Sequence, residues 1–304
     1  MRTGLSKSGV VGLVALSGLV VACLGSVWWT FGAAGPGEPA RYAMGSLDRV
    51  LEAPSLSAGL AGLLGRDHLG RSLLIRCLAG GAVSIGVGLA AAAIAVGIGT
   101  AYGSIAGWVG GRVDSVMMRV VDILYGLPYI LLVVLLAVAG DALLAGVAVD
   151  WSPQTRRLVE VGILLTAIGG VSWLTMARVI RGQVLSLKSM PFVESARAAG
   201  VGPARVFVRH LLPNLLGPIL VYATLTVPQA ILQESFLSFL GIGVRAPMPS
   251  WGNLASDGLG ELNPVKSRWW LLVFPCALLA TTLLSLNFVG EGLREAFDPR
   301  RSSK

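Results

Sequence analysis

A charged and interrupted stretch, PFVESARAAGVGPARVFVRHLLPN (residues 191–214), lies between two long apolar runs. Its ionisable side chains include Glu194 and Arg197, and the small side chains of Ser195 and Ala196 lie between them. A short, smooth, charged helix of this kind can dock into a groove on another protein. An ordinary interfacial loop helix has the same pattern, so the residue types alone leave both readings open.

Local signals predict the elements that carry these residues. Ser189 can cap a helix over about residues 190–199, and Gly200 suits the left-handed conformation that ends many helices. Pro203 then opens a second short helix that runs toward Pro213, where the chain enters the membrane again. The pattern predicts two short helices outside the bilayer, held by the ends of two membrane spans.

Two acidic residues lie in or beside predicted spans, where a charge is costly and often functional. Glu234, near the outer end of the fifth span, is a candidate pathway or gate residue. Its structural alternative is a hydrogen bond to a neighbouring helix through Asn287 or Gln229. Asp122 is a second pathway or gate candidate, but it lies three residues after Arg119, a spacing that permits a purely structural ion pair.

Motifs for hydrolysis and metal binding are absent from the sequence. There is no GxxxxGK[ST] phosphate loop, no HExxH zinc motif and no GxSxG nucleophile motif. The predicted topology places His68 and His210 on opposite sides of the membrane. The three cysteines, Cys23, Cys77 and Cys276, have no CxxC spacing. We therefore expect no catalytic residue, no metal site and no cofactor in this chain.

The composition is typical of a polytopic membrane protein. Of the 304 residues, 54% are hydrophobic and 13% are charged, whereas soluble domains carry roughly 25% charged residues. The apolar residues form runs near the roughly 20 residues that a spanning helix needs. The first run also resembles a secretory signal cleaved before Cys23, but it continues apolar to Phe31. The runs predict an all-α integral membrane protein with six spans, at about 9–31, 83–107, 117–140, 159–178, 212–236 and 269–290.

The distribution of positive charge predicts the orientation. The net charge is +8, and basic residues concentrate on one set of short loops and on the two termini, which carry Arg2, Arg300, Arg301 and Lys304. Cytoplasmic loops are enriched in Lys and Arg, so both termini and residues 191–214 should face the cytoplasm. The same placement argues against nucleic acid as the partner.

The remaining segments predict a three-part organisation. Residues 1–79 form an N-terminal helix and an outer, periplasmic segment, 80–291 form a five-helix membrane core, and 292–304 form a cytoplasmic tail. Within the outer segment, the charges of GRDHLGRSLLIR among apolar residues predict an amphipathic helix at the membrane surface. Residues 241–268, rich in Gly, Pro and Ser, predict an outer loop.

Small and helix-breaking residues occur inside the spans. Gly99, Gly103 and Gly107 repeat every fourth residue in the second span, a spacing that lets helices approach closely in lipid. Pro128 and Pro228 lie in the third and fifth spans, where proline kinks are tolerated. These positions predict close helix packing and local bends.

Several motifs together resemble a known transporter family. Glu194-Ser195-Ala196, followed by Gly200 and then Leu212-Pro213, resembles the EAA loop of binding-protein-dependent ABC importer permeases, with Ser in place of the middle Ala. The stretches GGRVDSVMMRVVDILYGLP, RHLLPN, LSFLGIG, PSWGNL and NFVGEGLREAFDPR look like the second, C-type permease of dipeptide, oligopeptide and nickel importers. The resemblance covers residues 65 to 300. The family usually has Asp where Ser72 stands here.

This resemblance implies a type I ABC importer fold and a set of partners. A second homologous permease would pair with this chain, two ATP-binding subunits would bind ATP and Mg beneath the pair, and a substrate-binding protein would deliver solute. Glu194, Ser195, Ala196, Arg197 and Gly200 would form the surface that docks on the ATPase, with Pro213 linking it to the fifth span. The chain would lie in the bacterial inner membrane.

A different class of protein remains as an alternative. A secondary transporter or channel working without ATPase subunits would carry paired ionisable residues near the middle of the membrane. The sequence places Asp122 and Glu234 near opposite faces instead. The sequence favours peptide as the substrate, and nickel or another small solute remains open.

Overall fold

A computed structural model describes residues 7–147, 151–264 and 266–297, and all regular secondary structure in these ranges is helical. The terminal basic residues used to predict orientation, Arg2, Arg300, Arg301 and Lys304, lie outside the described residues, as does the end of the predicted tail. The α-helices are α1 (Lys7–Gly25), α2 (Val27–Thr30), α3 (Leu73–Val109), α4 (Gly111–Tyr125), α5 (Tyr129–Val147), α6 (Pro153–Lys188), α7 (Pro191–Ala198), α8 (Pro203–Val206), α9 (Leu212–Phe239), α10 (Trp251–Gly260) and α11 (Trp270–Phe297).

Most predicted spans are present as long apolar helices. Five stretches in the described ranges are long and apolar enough to cross a membrane: Lys7–Thr30, Leu73–Val109, Val159–Lys188, Pro203–Phe239 and Trp270–Glu295. A sixth is obtained when α4 and α5 are counted as one broken span. The all-α membrane fold is therefore confirmed, and α3 extends further toward its N-terminus than the predicted second span.

The third span is the one whose geometry the sequence predicted wrongly. Residues 117–140 were expected to form one helix, but α4 ends at Tyr125, α5 begins at Tyr129, and the two axes differ by 89°. Pro128 lies in the break. A proline cannot donate its backbone nitrogen and disfavours helical conformation in the residue before it, so the chain turns instead of kinking.

Helices α3 and α6 form the most extensive helix pair of the core. The predicted small-residue face of α3 lies at this contact, because Gly99, Gly103 and Gly107 lie directly against the backbone and Cβ atoms of α6. A Cβ added at Gly103 would collide with the carbonyl oxygen of Ala177. The close packing predicted from the glycine spacing is confirmed, since any larger residue would push the two helices apart.

The amphipathic surface helix predicted around Arg66–Arg76 is wrong. Residues 66–72 form a tight loop around the buried carboxylate of Asp67, which is 2% exposed. Its Oδ2 accepts from Arg71 Nε at 2.7 Å and from Arg76 Nη1 at 2.5 Å. The apparent amphipathic pattern arose because these charges are paired inward with each other and do not face solvent.

The outer loop between α9 and α11 contains a buried helix. Ser250 caps α10 by a reciprocal capping box with Asn253, and Trp251 at its start is fully buried. The Trp251 indole Nε1 donates to the carbonyl of Cys77 on α3 at 3.0 Å. Helix α10 packs against α3, α9 and α11 and so closes one end of the helix bundle. The Asp67 loop lies at the same end, where Arg76 is 3.6 Å from Asp257 of α10.

Candidate functional site: a loop helix and an intramembrane cavity

The charged stretch forms the short helix α7, which is anchored by one apolar face. Val193 is fully buried in a cluster with Ile180 and Val184 of α6 and with Val206 and Leu211 of the following segment. These contacts join α7 to the cytoplasmic-side ends of two long helices in the predicted topology, so α7 has a defined position relative to both.

The opposite face of α7 is exposed. Glu194, Ser195 and Arg197 are exposed, whereas Ala196 is partly buried against the apolar cluster. Gly200, just after the helix, is exposed as well, so four of the five predicted docking residues face outward and Ala196 packs inward. The outward residues form a small polar surface on an anchored helix.

The sequence predicted the C-terminal end of α7 correctly but not its N-terminal cap. The predicted cap, Ser189, instead closes α6, and its hydroxyl donates to the carbonyl of Ser186 at 3.0 Å. The N-cap of α7 is Met190, whose side chain has no oxygen that could accept from the first backbone N–H groups, and Pro191 occupies the first helical position, where no N–H partner is needed. At the other end Gly200 has φ +78°, as predicted. This left-handed residue turns the chain toward α8.

Helix α8 continues into α9 as a single rod. A π-helical turn, Phe207–Leu211, joins them, so Pro203–Phe239 is one continuous helix. Pro213 lies two residues after this turn and cannot donate to the carbonyl four residues earlier, which accommodates the wider turn. The predicted second short helix, α8, is therefore the first part of the fifth span, and it continues into α9 without a hinge.

Glu234 is fully buried at the far end of this rod. Ser238 Oγ donates to its Oε1 at 2.7 Å and Ser235 Oγ donates to its Oε2 at 3.2 Å. Hydrogen bonds from Ser84 of α3 and from Ser250, the cap of α10, complete the site. The predicted partners were wrong: serines from three elements surround the carboxylate in place of Asn287 or Gln229.

Asp122 forms an ion pair, but with a different partner from the one predicted. Its Oδ1 accepts from Arg178 Nη2 of α6 at 2.7 Å, and the Arg178 guanidinium lies 4.1 Å from the centre of the Tyr125 ring. Arg119 was predicted from spacing within α4. The contact between α4 and α6 brings Arg178 closer, and Asp122 remains 61% exposed. A bidentate pair between Asp114 and Arg181 joins the same two helices.

A polar cavity of about 460 Å³ lies between the broken span, α6 and α9. The Tyr129 hydroxyl donates to Gln233 Oε1 at 2.6 Å and lies 2.8 Å from Ser172 Oγ. The polar side chains that line the cavity are Tyr125, Tyr129, Ser172, Thr175, Tyr222, Thr226, Gln229 and Gln233. No Asp, Glu, Lys, Arg or His lines the cavity within the described part of the chain.

Neither predicted pathway residue lines this cavity. Glu234 points into the serine cluster and Asp122 lies at the helix surface. A signal for the cavity was present in the sequence, because Thr226, Gln229 and Gln233 follow one another at spacings of three and four in an apolar span. Such residues share one face of a helix. The partner residue Tyr129 had no such signal, because it belongs to a different helix.

Comparison with known proteins identifies the class of this chain. Residues 99–303 match the family model "Binding-protein-dependent transport system inner membrane component". The chain is 48% identical over 248 residues to the oligopeptide transport system permease protein OppC of Escherichia coli K12, covering 82% of this chain and 75% of that protein. It is 42% identical over 237 residues to the dipeptide transport system permease protein DppC of Bacillus subtilis, covering 78% of this chain and 68% of that protein.

Among solved structures, the inward-facing MetNI methionine ABC transporter covers 71% of this chain and 94% of its own with a TM-score of 0.49 and 17% identity. The relatives are transport permeases and not enzymes, as the absence of catalytic motifs predicted. Permeases of this kind act together with further permease, ATPase and binding-protein components. The matched family model and the permease relatives agree with the helical membrane fold, and the chain belongs to the family of binding-protein-dependent transport system inner membrane components.

Proposed function

We propose that this chain is the translocation subunit of an ATP-driven importer of peptides. The observation that carries the proposal is the continuous helix Pro203–Phe239, which begins beside the exposed loop helix α7 and bears four polar residues of the intramembrane cavity. Because Val193 of α7 packs against Val206 and Leu211 of this rod, a displacement of α7 is transmitted to the rod and along it to the cavity. This is the arrangement that an externally driven transporter needs.

The cavity supports a peptide substrate. Its volume of about 460 Å³ lies within the roughly 300–1,000 Å³ of ligand-binding pockets. Its glutamine, threonine and tyrosine side chains offer both donors and acceptors, which match the N–H and C=O groups of a peptide main chain. The relatives named above as oligopeptide and dipeptide permeases point in the same direction.

The proposed partners divide the work of transport. A second homologous permease forms the other wall of the path, and two ATP-binding subunits hold ATP and Mg, while this chain holds no cofactor. A substrate-binding protein delivers the peptide. The surface that contacts an ATPase subunit consists of Glu194, Ser195, Arg197 and Gly200. Ala196 packs α7 against the spans, and Pro213 lies at the start of the span that moves.

The proposed location is the bacterial inner membrane with both termini in the cytoplasm. Arg112 at the start of α4, Arg197 of α7 and Arg205 of α8 lie on one side of the bundle, which favours that side as cytoplasmic. The chain contacts lipid along its spans and has no nucleic-acid partner.

The experiment that tests this function is peptide uptake by the reconstituted complex. The proteoliposomes contain this chain, the second permease, the ATPase subunits and a loaded binding protein. They should accumulate a labelled oligopeptide only when ATP is supplied on the side of the membrane where the ATPase subunits lie. Omission of this chain should abolish uptake. Accumulation in the absence of ATPase subunits, driven by an ion gradient, would instead identify a secondary transporter.

A further inference from the structure

An apolar groove of about 850 Å³ runs along the outside of the bundle between α3 and the rod Pro203–Phe239. On α3 its wall extends from Val96 to Val109, which corresponds to about 20 Å of helix at 1.5 Å per residue. One leaflet of a bilayer has a hydrocarbon depth of about 15 Å, half of the 30 Å core. The groove is therefore long enough to hold an acyl chain across one leaflet and reach the headgroup level, and its wall is apolar.

Two cations meet at the end of the groove that lies beside α7. Trp108 lines this end. The Lys188 ammonium lies 5.6 Å from the centre of its ring and donates to its carbonyl oxygen at 2.6 Å, while the Arg197 guanidinium lies 5.2 Å from the ring centre. In the ranges that the structure describes, neither cation forms an ion pair with an acidic side chain.

More positive charge borders the same end. Ala204 and Val208 line the groove, and the next residue after each, Arg205 and Arg209, is exposed. Tryptophan is also a side chain that favours the headgroup level of a bilayer. The groove thus combines an apolar body long enough for an acyl chain with an aromatic and cationic mouth.

We propose that this groove binds an anionic phospholipid. An acyl chain fills the apolar body between α3 and the rod, and the headgroup phosphate lies at the mouth between Lys188 and Arg197. Basic pockets between membrane helices recognise anionic headgroups in this way. Since Arg197 belongs to α7, the bound lipid contacts the element that we assign to ATPase docking, although lipid binding itself does not depend on that assignment.

The charge at the mouth is tested with Lys188→Gln. Lys188 is the residue to change because Arg197 also belongs to the proposed docking surface. The complete importer is extracted from native membranes, and the anionic and zwitterionic phospholipids that stay bound after detergent washing are quantified per permease. Removal of one cation near a membrane surface should reduce the anionic share about fivefold, from about 1 kcal/mol for each Lys or Arg. Arg119→Gln, which removes an exposed cation of α4 away from the groove, is the matched control and should retain the wild-type share.

The apolar body is tested with Gly97→Leu. A side chain at Gly97 meets no atom within 4 Å, so leucine projects into the groove without disturbing the helix contacts. Retained anionic lipid should fall in this variant. Gly86→Leu, on the same helix and also without neighbours but outside the groove, should behave as wild type.

Two results would overturn the proposal. One is an unchanged anionic share in both Lys188→Gln and Gly97→Leu. The other is efficient cross-linking of an Ala101→Cys variant to the second permease in native membranes, because a protein helix would then fill the groove. If the variants lose lipid but take up peptide normally, the lipid site stands and the proposed transport function is unaffected. If they lose uptake but retain lipid as wild type does, the lipid site is still contradicted.

Discussion

At the scale of single residues, two neighbours in α9 have different surroundings. Gln233 lines the polar cavity and accepts from Tyr129, whereas Glu234 is closed inside a cluster of serines from α3, α9 and the cap of α10. Successive residues of a helix point about 100° apart, so α9 directs Gln233 into the cavity and Glu234 into the serine cluster. The carboxylate therefore joins three elements at one end of the bundle.

Substitution of Glu234 tests whether the serine cluster depends on its carboxylate. Glu234→Leu removes the acceptor of several buried hydroxyls, which costs roughly 1–3 kcal/mol for each group left unsatisfied. We expect a lower unfolding temperature of the purified permease and reduced uptake. Glu234→Gln keeps an acceptor and should preserve assembly with a smaller loss of uptake. Wild-type stability and uptake in both variants would show that the serine cluster does not require this side chain.

The buried Asp67 loop predicts a dependence of stability on pH. Burial, the largest single influence, raises the pKa of Asp67, but Arg76, Arg71 and the backbone N–H groups of Arg71 and Leu69 together hold it below its usual value. A group whose pKa is lower in the folded state stabilises the fold above its unfolded pKa of about 3.9 and loses that contribution as the pH falls through the folded value. Stability should therefore decrease with acidity below about pH 4.

Asp67→Asn tests this dependence. The variant removes the nearer carboxylate of the buried Arg76 and leaves it only Asp257 at 3.6 Å. Breaking a buried pair costs roughly 3–5 kcal/mol, so the unfolding temperature should be lower at neutral pH. Its acid-induced loss of stability should be smaller than that of wild type. Asp48→Asn, at an exposed position of the same segment, should retain the wild-type profile. Identical pH profiles for Asp67→Asn and wild type would remove Asp67 as the cause.

At the scale of elements, the end of α7 depends on a backbone conformation that few residues adopt. Gly200 has φ +78°, and a side chain there meets no neighbour, so any effect of substitution comes from the backbone. Gly200→Val should cost about 1–2 kcal/mol locally and misplace the docking face. We expect normal membrane levels, weaker pull-down of the ATPase subunits and loss of ATP turnover stimulated by the loaded binding protein.

A matched control lies two residues further on. Gly202 has φ −61° and also has open space around it, so Gly202→Val should retain ATPase binding. Equal effects of the two substitutions would show that side-chain bulk, and not the left-handed conformation, matters at this turn.

Charge reversal on α7 should act by a different route. Glu194 lies in the first turn of the helix, where a carboxylate is favoured by the helix dipole, and its side chain is exposed. Glu194→Lys should leave the fold intact and weaken association with the ATPase subunits, measured by the same pull-down and ATP turnover. Full binding and full stimulation in both Glu194→Lys and Gly200→Val would exclude α7 as the coupling element.

At the scale of the whole molecule, the orientation of the bundle is a testable consequence of its charge distribution. In a Cys276→Ser background the two other cysteines are buried, so an introduced cysteine is the main target of a membrane-impermeant thiol reagent. Ser152→Cys and Lys266→Cys should be labelled on intact cells, whereas Ser195→Cys should be labelled only after permeabilisation. Labelling of Ser195→Cys on intact cells would invert the topology.

The sequence by itself determined the membrane class, most spans, the glycine face of α3, the left-handed residue Gly200 and the family. These features follow from composition, from spacing along one helix or from the conformational preference of one residue, and each is local in the chain. Only the tertiary structure decided which groups meet: Asp122 with Arg178, Glu234 with serines of three elements, Tyr129 with Gln233, and Asp67 with Arg71 and Arg76 in a buried loop. Partner choice depends on how helices far apart in sequence are oriented against each other, and spacing within one helix carries no information about that orientation.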